Sequence, residues 1–66
     1  MNSDRIEGNW KELKGKAQQK WGEITDDEMD KIDGNREELV GKIQQKYGKT
    51  REEAEKEVDS FESGNH

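Results

Sequence analysis

Six carboxylates crowd one short stretch, Glu23, Asp26, Asp27, Glu28, Asp30 and Asp33, and clustered carboxylates are what calcium or magnesium would bind. The spacing defeats that chemistry. A calcium loop with Gly34 at its sixth position needs oxygen ligands where Met29 and Lys31 stand, and a closing glutamate where Val40 stands. Carboxylates in the first turn of a helix are explained by capping and by the helix dipole, so no metal and no cofactor is expected.

The basic residues offer a second chemistry. Lys11, Lys14, Lys16 and Lys20, counted with Glu12, give residues 9 to 22 a local charge of +3 in a chain of net charge -5. Such a patch could touch phosphates. Lys16 and Lys20 fall on one flank of an apolar stripe and Lys11 and Lys14 on the other, which is how solvated lysines frame a buried face. Trp10 and Trp21 could stack on bases, but both lie on that stripe beside Leu13 and Ala17, where core packing is the simpler reading. Gly15 and Gly41 stand inside helices, opposite the stripe, where glycine costs about 1 kcal/mol relative to alanine. Close approach to another helix or partner would explain them; so would inheritance from an ancestral unit, and no face-specific signal in the sequence favours the partner. Together Lys11, Lys14, Gly15, Lys16, Lys20, Gly41 and Lys42 form the candidate interaction surface. For catalysis there is one histidine, His66, no cysteine, and serines only at Ser3, Ser60 and Ser63. No nucleophile, base and orienting group can be assembled from these, and no enzyme is expected.

These residues need a scaffold, and composition alone does not promise one. Of 66 residues only 24% are apolar and 44% are charged, close to the balance of disordered chains. The positions of the apolar residues argue otherwise. Ile6, Trp10, Leu13, Ala17, Trp21 and Ile24 are spaced 4, 3, 4, 4 and 3 apart, a stripe about 80° wide at about 100° per residue. The spacing predicts one long helix carrying all six. Leu39, Val40, Ile43 and Tyr47 repeat the pattern, while Met29 with Ile32, and Ala54 with Val58 and Phe61, mark two shorter helices. Thr25 with Glu28, Asn35 with Glu38, and Thr50 with Glu53 each pair a capping side chain with a carboxylate three residues on. Gly22, Gly34 and Gly48 sit where helices should stop.

The strongest pattern is a repeat. GNWKELKGKAQQKWG at residues 8 to 22 returns as GNREELVGKIQQKYG at residues 34 to 48, with ten of fifteen positions identical. An offset of 26 residues accommodates a helix, a turn and a second helix. The expectation is an all-α, four-helix domain over residues 2–61, a duplicated helix-turn-helix unit with copies at about 8–33 and 34–59, followed by a frayed tail at 62–66.

Gly8, Trp10, Lys11, Lys14, Gly15, Lys16, Trp21 and Gly22, then TDDE, LVGKIQQKYG and EEAEKEV, resemble the bacterial CsbD-like family, and within it the YjbJ-type branch. The paired glutamines Gln18 with Gln19 and Gln44 with Gln45 depart from a family pattern in which charged residues are common there. The resemblance implies two crossed helical hairpins similar to the sterile-alpha-motif (SAM) domain, a general stress-response context, and no enzyme activity.

No apolar run exceeds two residues, too short for a membrane span or a secretory signal core, so a cytoplasmic monomer away from membranes is expected. Three functional classes follow in order: binding or regulation of an unknown protein partner under stress; hydrophilic protection of other macromolecules during osmotic or desiccation stress; and, below both, nucleic-acid binding through the lysine patch.

Overall fold

A computed structural model describes residues 8–63. Among these residues the chain forms four α-helices: α1 (Trp10–Lys20), α2 (Asp26–Ile32), α3 (Arg36–Tyr47) and α4 (Arg51–Glu62). The expected all-helical, four-helix domain is what the chain builds. Helix α1 packs on α2 and α3 packs more extensively on α4, while α2 against α3 joins the two hairpins. A radius of gyration of 10.5 Å matches the ~10 to 11 Å of a folded chain this size.

The core takes its side chains from every element: Trp10 and Ala17 from α1, Met29 and Ile32 from α2, Leu39, Val40 and Ile43 from α3, and Ala54, Val58 and Phe61 from α4. Leu13 and Tyr47 are partly buried against this cluster. Two core residues lie outside any helix. Contrary to the single long stripe, α1 ends at Lys20, and Trp21 is its C-cap with φ -121° and ψ 72°. Trp21 and Ile24 stay buried because the connecting turn carries them inward. Leaving helical geometry has a consequence for Trp21: its indole meets the Phe61 ring edge-on at 5.1 Å, and its Nε1 donates to Glu57 Oε1 at 2.8 Å. The end of α1 is thereby fastened to α4. Ile6, the first residue of the expected stripe, lies outside the described residues, as do residues 64–66 of the expected tail. Helix α4 is as long as α3, twelve residues each, and runs through Glu62, whose buried side chain meets Arg36 at 3.2 Å.

Helix starts follow the capping pattern. At Thr25 and at Thr50 both halves of the capping box form: the threonine hydroxyl accepts from the Glu28 or Glu53 backbone N–H, and that glutamate accepts from the threonine N–H. Asn35 accepts from Glu38 N–H at 3.0 Å. The stops are less uniform. Gly48 caps α3 with φ 63°, but α2 is capped by Asp33 at φ 48°, one residue before Gly34 at φ 81°. Gly22 does not adopt the left-handed conformation. There the Tyr47 hydroxyl takes the Glu23 N–H at 3.0 Å instead, so a side chain from α3 satisfies a donor that a glycine cap would otherwise turn.

Candidate interaction surface

The seven candidate residues separate into those turned to neighbouring helices and those turned to solvent. Lys14 belongs to the first group. Its ammonium lies 2.9 Å from Asp26 and 2.6 Å from Asp30, so α1 reaches across to α2. Hydrogen bonds to Asp30 and then Asp26 raise its pKa above the ordinary 10.5. One oxygen each from Asp26, Asp27 and Asp30 lies within 4.8 Å of the others, and the Lys14 ammonium binds two of these three carboxylates. That ion pair, together with the position of Asp26 and Asp27 in the first turn of α2, accounts for the acidic cluster.

Lys42 is also turned inward, toward Glu28 at 3.3 Å, and Lys46 reaches the same carboxylate at 3.0 Å. Glu28 thus completes the α2 capping box and pins α3 to α2 at the same time. The bond from Thr25 N–H, followed by that from Lys46, holds its carboxyl at about 2 against an ordinary 4.5, with Lys42 adding to the shift. Sequence reasoning found the cap and missed the hub; lysines four apart at Lys42 and Lys46, opposite an anion at N3 of α2, were the available signal. Glu57 is a second such point. Burial alone would raise its carboxyl, yet bonds from Lys49 and from the Trp21 indole bring it below the ordinary value. Arg36 closes the α3–α4 hairpin on Asp59 at 2.8 Å. Exposed ion pairs are worth only about 0 to 1 kcal/mol each, so their main effect is to hold side chains and helices in register.

Lys11, Lys16 and Lys20 form the second group, exposed along α1. Among the described residues no carboxylate lies within ion-pair reach of Lys11 or Lys16. Lys20 sits over the Trp21 ring at 5.6 Å from its centroid, within cation–π range. Gly15 is exposed between these lysines, and a Cβ built there meets nothing within 4 Å. The same holds at Gly41 on α3, which lines an open, shallow depression of about 320 Å³ together with Glu37, Glu38, Lys42 and Gln45. Trp10 and Trp21 present no stacking face: both are buried, and Trp10 Nε1 donates to the Met29 carbonyl at 3.1 Å. Ser63, at the end of α4, donates its hydroxyl to the Ser60 carbonyl at 2.9 Å, a helix-terminal contact.

A family model described as CsbD-like matches residues 4–56. The chain belongs to the CsbD-like family. A UPF0337 protein of Rhodopirellula baltica is 75% identical over 63 residues, covering 96% of this chain and 93% of that protein. The UPF0337 protein YjbJ of Escherichia coli is 52% identical over 65 residues, 98% and 94% of the two chains. YjbJ of Salmonella typhimurium is also 52% identical, over 66 residues that cover 100% and 94%. Membership in the CsbD-like, YjbJ-type group is therefore carried by the whole chain. No helix among the described residues is long and apolar enough to cross a membrane.

Proposed function

We propose that the protein is a non-catalytic stress-response module that works as a cytoplasmic monomer by binding or regulating a protein partner through the exposed surface of α1. One observation carries this reading: the unequal use of cations. Lys14, Arg36, Lys42, Lys46, Lys49 and Arg51 are all committed to carboxylates of this chain. Lys11, Lys16 and Lys20 are not, although anions outnumber cations seventeen to twelve; Lys31 on α2 and Lys56 on α4 are also exposed without a carboxylate among the described residues, but each stands singly, whereas α1 carries three. A chain with carboxylates to spare that leaves three cations exposed along one ordered helix gives α1 a positively charged outer surface of fixed geometry, with Lys11 toward one flank of the buried stripe and Lys16 and Lys20 toward the other. A protectant acting through hydration alone would need neither the order nor the arrangement. The stress context comes from the family; the face comes from α1.

The test is complementation. An Escherichia coli strain lacking its YjbJ relative would be challenged by osmotic stress, drying and stationary phase while expressing either this protein or the variant Lys11→Glu, Lys16→Glu, Lys20→Glu. Circular dichroism would confirm that both are helical and melt cooperatively. Survival restored by the parent and lost in the variant supports the binding reading. Equal rescue by the two would refute it, and rescue by a scrambled chain of the same composition would establish the protectant instead.

A further inference from the structure

The repeat gives one pair of lysines two different surroundings. Lys42 and Lys46 of α3 stand four residues apart, as do Lys16 and Lys20 of α1, and the residues between them differ only at Ala17 and Ile43. Residues four apart lie on the same side of a helix, about 6 Å along its axis. In α3 the pair closes on a single carboxylate: Lys46 Nζ is 3.0 Å from Glu28 Oε1, and Lys42 Nζ is 3.3 Å from Glu28 Oε2. Lys42 also donates to Gln45 Oε1 at 3.5 Å. Glu28 is the third residue of α2 and completes the Thr25 capping box, so what this pair holds is the acidic first turn of a helix. In α1 the same side chains are turned outward. Lys16, Gln19 and Lys20 are exposed where Lys42 and Lys46 are half-buried, and among the described residues no carboxylate lies within ion-pair reach of Lys16 or Lys20. The counterpart of Glu28 in the second hairpin is Glu53, the third residue of α4, which closes the Thr50 capping box without a lysine from α1. Glu57, one turn further on, is taken by the Trp21 indole and by Lys49.

From this internal template we propose that Lys16 and Lys20, with Gln19, bind the acidic first turn of a helix in a protein partner, a carboxylate at its third helical position taking the place that Glu28 has between Lys42 and Lys46. A carboxylate offers two oxygens to two ammonium groups, and first turns are where helices concentrate carboxylates, because capping and the helix dipole both favour them there. Because the contact is exposed and built from ion pairs, it is weak on its own and sensitive to salt. The inference rests on the reading of α1 as a binding surface and names the chemistry of the partner.

The probe is an acetylated, alanine-rich helical peptide of about sixteen residues that opens with Thr-Asp-Asp-Glu. It is titrated to about 5 mM into the full labelled chain in low salt and followed by amide proton–nitrogen correlation spectra. A comparison peptide of the same composition carries its carboxylates in the last turn. The expected result is saturable shifts centred on Lys16, Gln19 and Lys20, with the comparison peptide bound about fivefold more weakly. Lys16→Gln and Lys20→Gln each weaken binding about fivefold without loss of helical signal, and Lys56→Gln, exposed on α4, binds as the parent does. No shift up to the highest concentration overturns the proposal, as do equal shifts with the two peptides or shifts indifferent to Lys16→Gln and Lys20→Gln. A DNA duplex that perturbs Lys16 and Lys20 where the peptide does not overturns it in favour of a phosphate backbone. If the peptide fails while complementation still depends on the α1 lysines, the acidic helix falls as the occupant and the binding surface stands.

Discussion

Replacing Gly15 or Gly41 with alanine should make the protein more stable, which is the reverse of what most substitutions do. Both residues lie inside helices, both are exposed, and the added methyl group meets no atom within 4 Å. With no packing to gain or lose, the difference reduces to helix propensity, about 1 kcal/mol per site in favour of alanine. The two positions lie on separate helices and share no neighbour, so the effects should add to about 2 kcal/mol. For a domain of this size each kcal/mol corresponds to a rise in Tm of roughly 4 to 8 °C. Thermal unfolding followed by circular dichroism, with urea unfolding followed by tryptophan fluorescence, reads the change directly. Gly48→Ala is the internal control. Its methyl group also meets no atom within 4 Å, but its φ is 63°, so alanine there should lose about 1 kcal/mol from the left-handed conformation. Loss of stability in Gly15→Ala or Gly41→Ala would refute the reasoning, because it would reveal an internal requirement for glycine that open space and ordinary backbone geometry do not supply.

Three further outcomes are expected. Trp10→Phe removes the indole bond to the Met29 carbonyl, but that carbonyl keeps the Asp33 N–H at 3.1 Å, so in urea unfolding the lost bond should account for about 1 kcal/mol, with the smaller ring adding to the loss at this buried position. Thr25→Ala and Thr50→Ala each break a complete capping box and should each cost about 1 kcal/mol by the same measurement. Glu28 titrates at about 2 when folded and near 4.5 otherwise. The unfolded chain therefore binds more protons between those values, so the contribution of Glu28 is complete above pH 4.5 and is lost as pH falls toward 2. Glu57, also lowered, acts in the same direction. Glu28→Gln should flatten the acid limb of a stability profile measured by urea unfolding at successive pH values, and an unchanged limb would contradict the hub.

Much of this fold was legible because period and punctuation agreed. Thr25, Asn35 and Thr50 start helices as their spacing to Glu28, Glu38 and Glu53 indicates, and the described residues on each stripe enter the core or, for Leu13 and Tyr47, pack against it. The end of α1 was not legible. Trp21 and Ile24 continue the helical spacing, yet the chain turns at Trp21 because its indole finds Glu57 and Phe61 on α4, partners 36 and 40 residues away. Periodicity registers burial and is blind to a turn that keeps the same residues buried. The candidate surface divides for a related reason: charge counting placed Lys14 and Lys42 with Lys11 and Lys16, while tertiary neighbours drew Lys14 to Asp30 and Lys42 to Glu28. Helical phase alone cannot separate a lysine that faces an acidic helix from one that faces water.

The central claim is that an ordered helical domain binds through the exposed face of α1. Its most direct test is an amide proton–nitrogen correlation spectrum of the labelled protein, recorded in buffer and again in cleared lysate from stressed bacteria. The account predicts dispersed peaks in both, with shifts or broadening concentrated at Lys11, Gly15, Lys16, Gln19 and Lys20. Dispersed peaks that ignore the lysate, or changes spread evenly over all four helices, would contradict it.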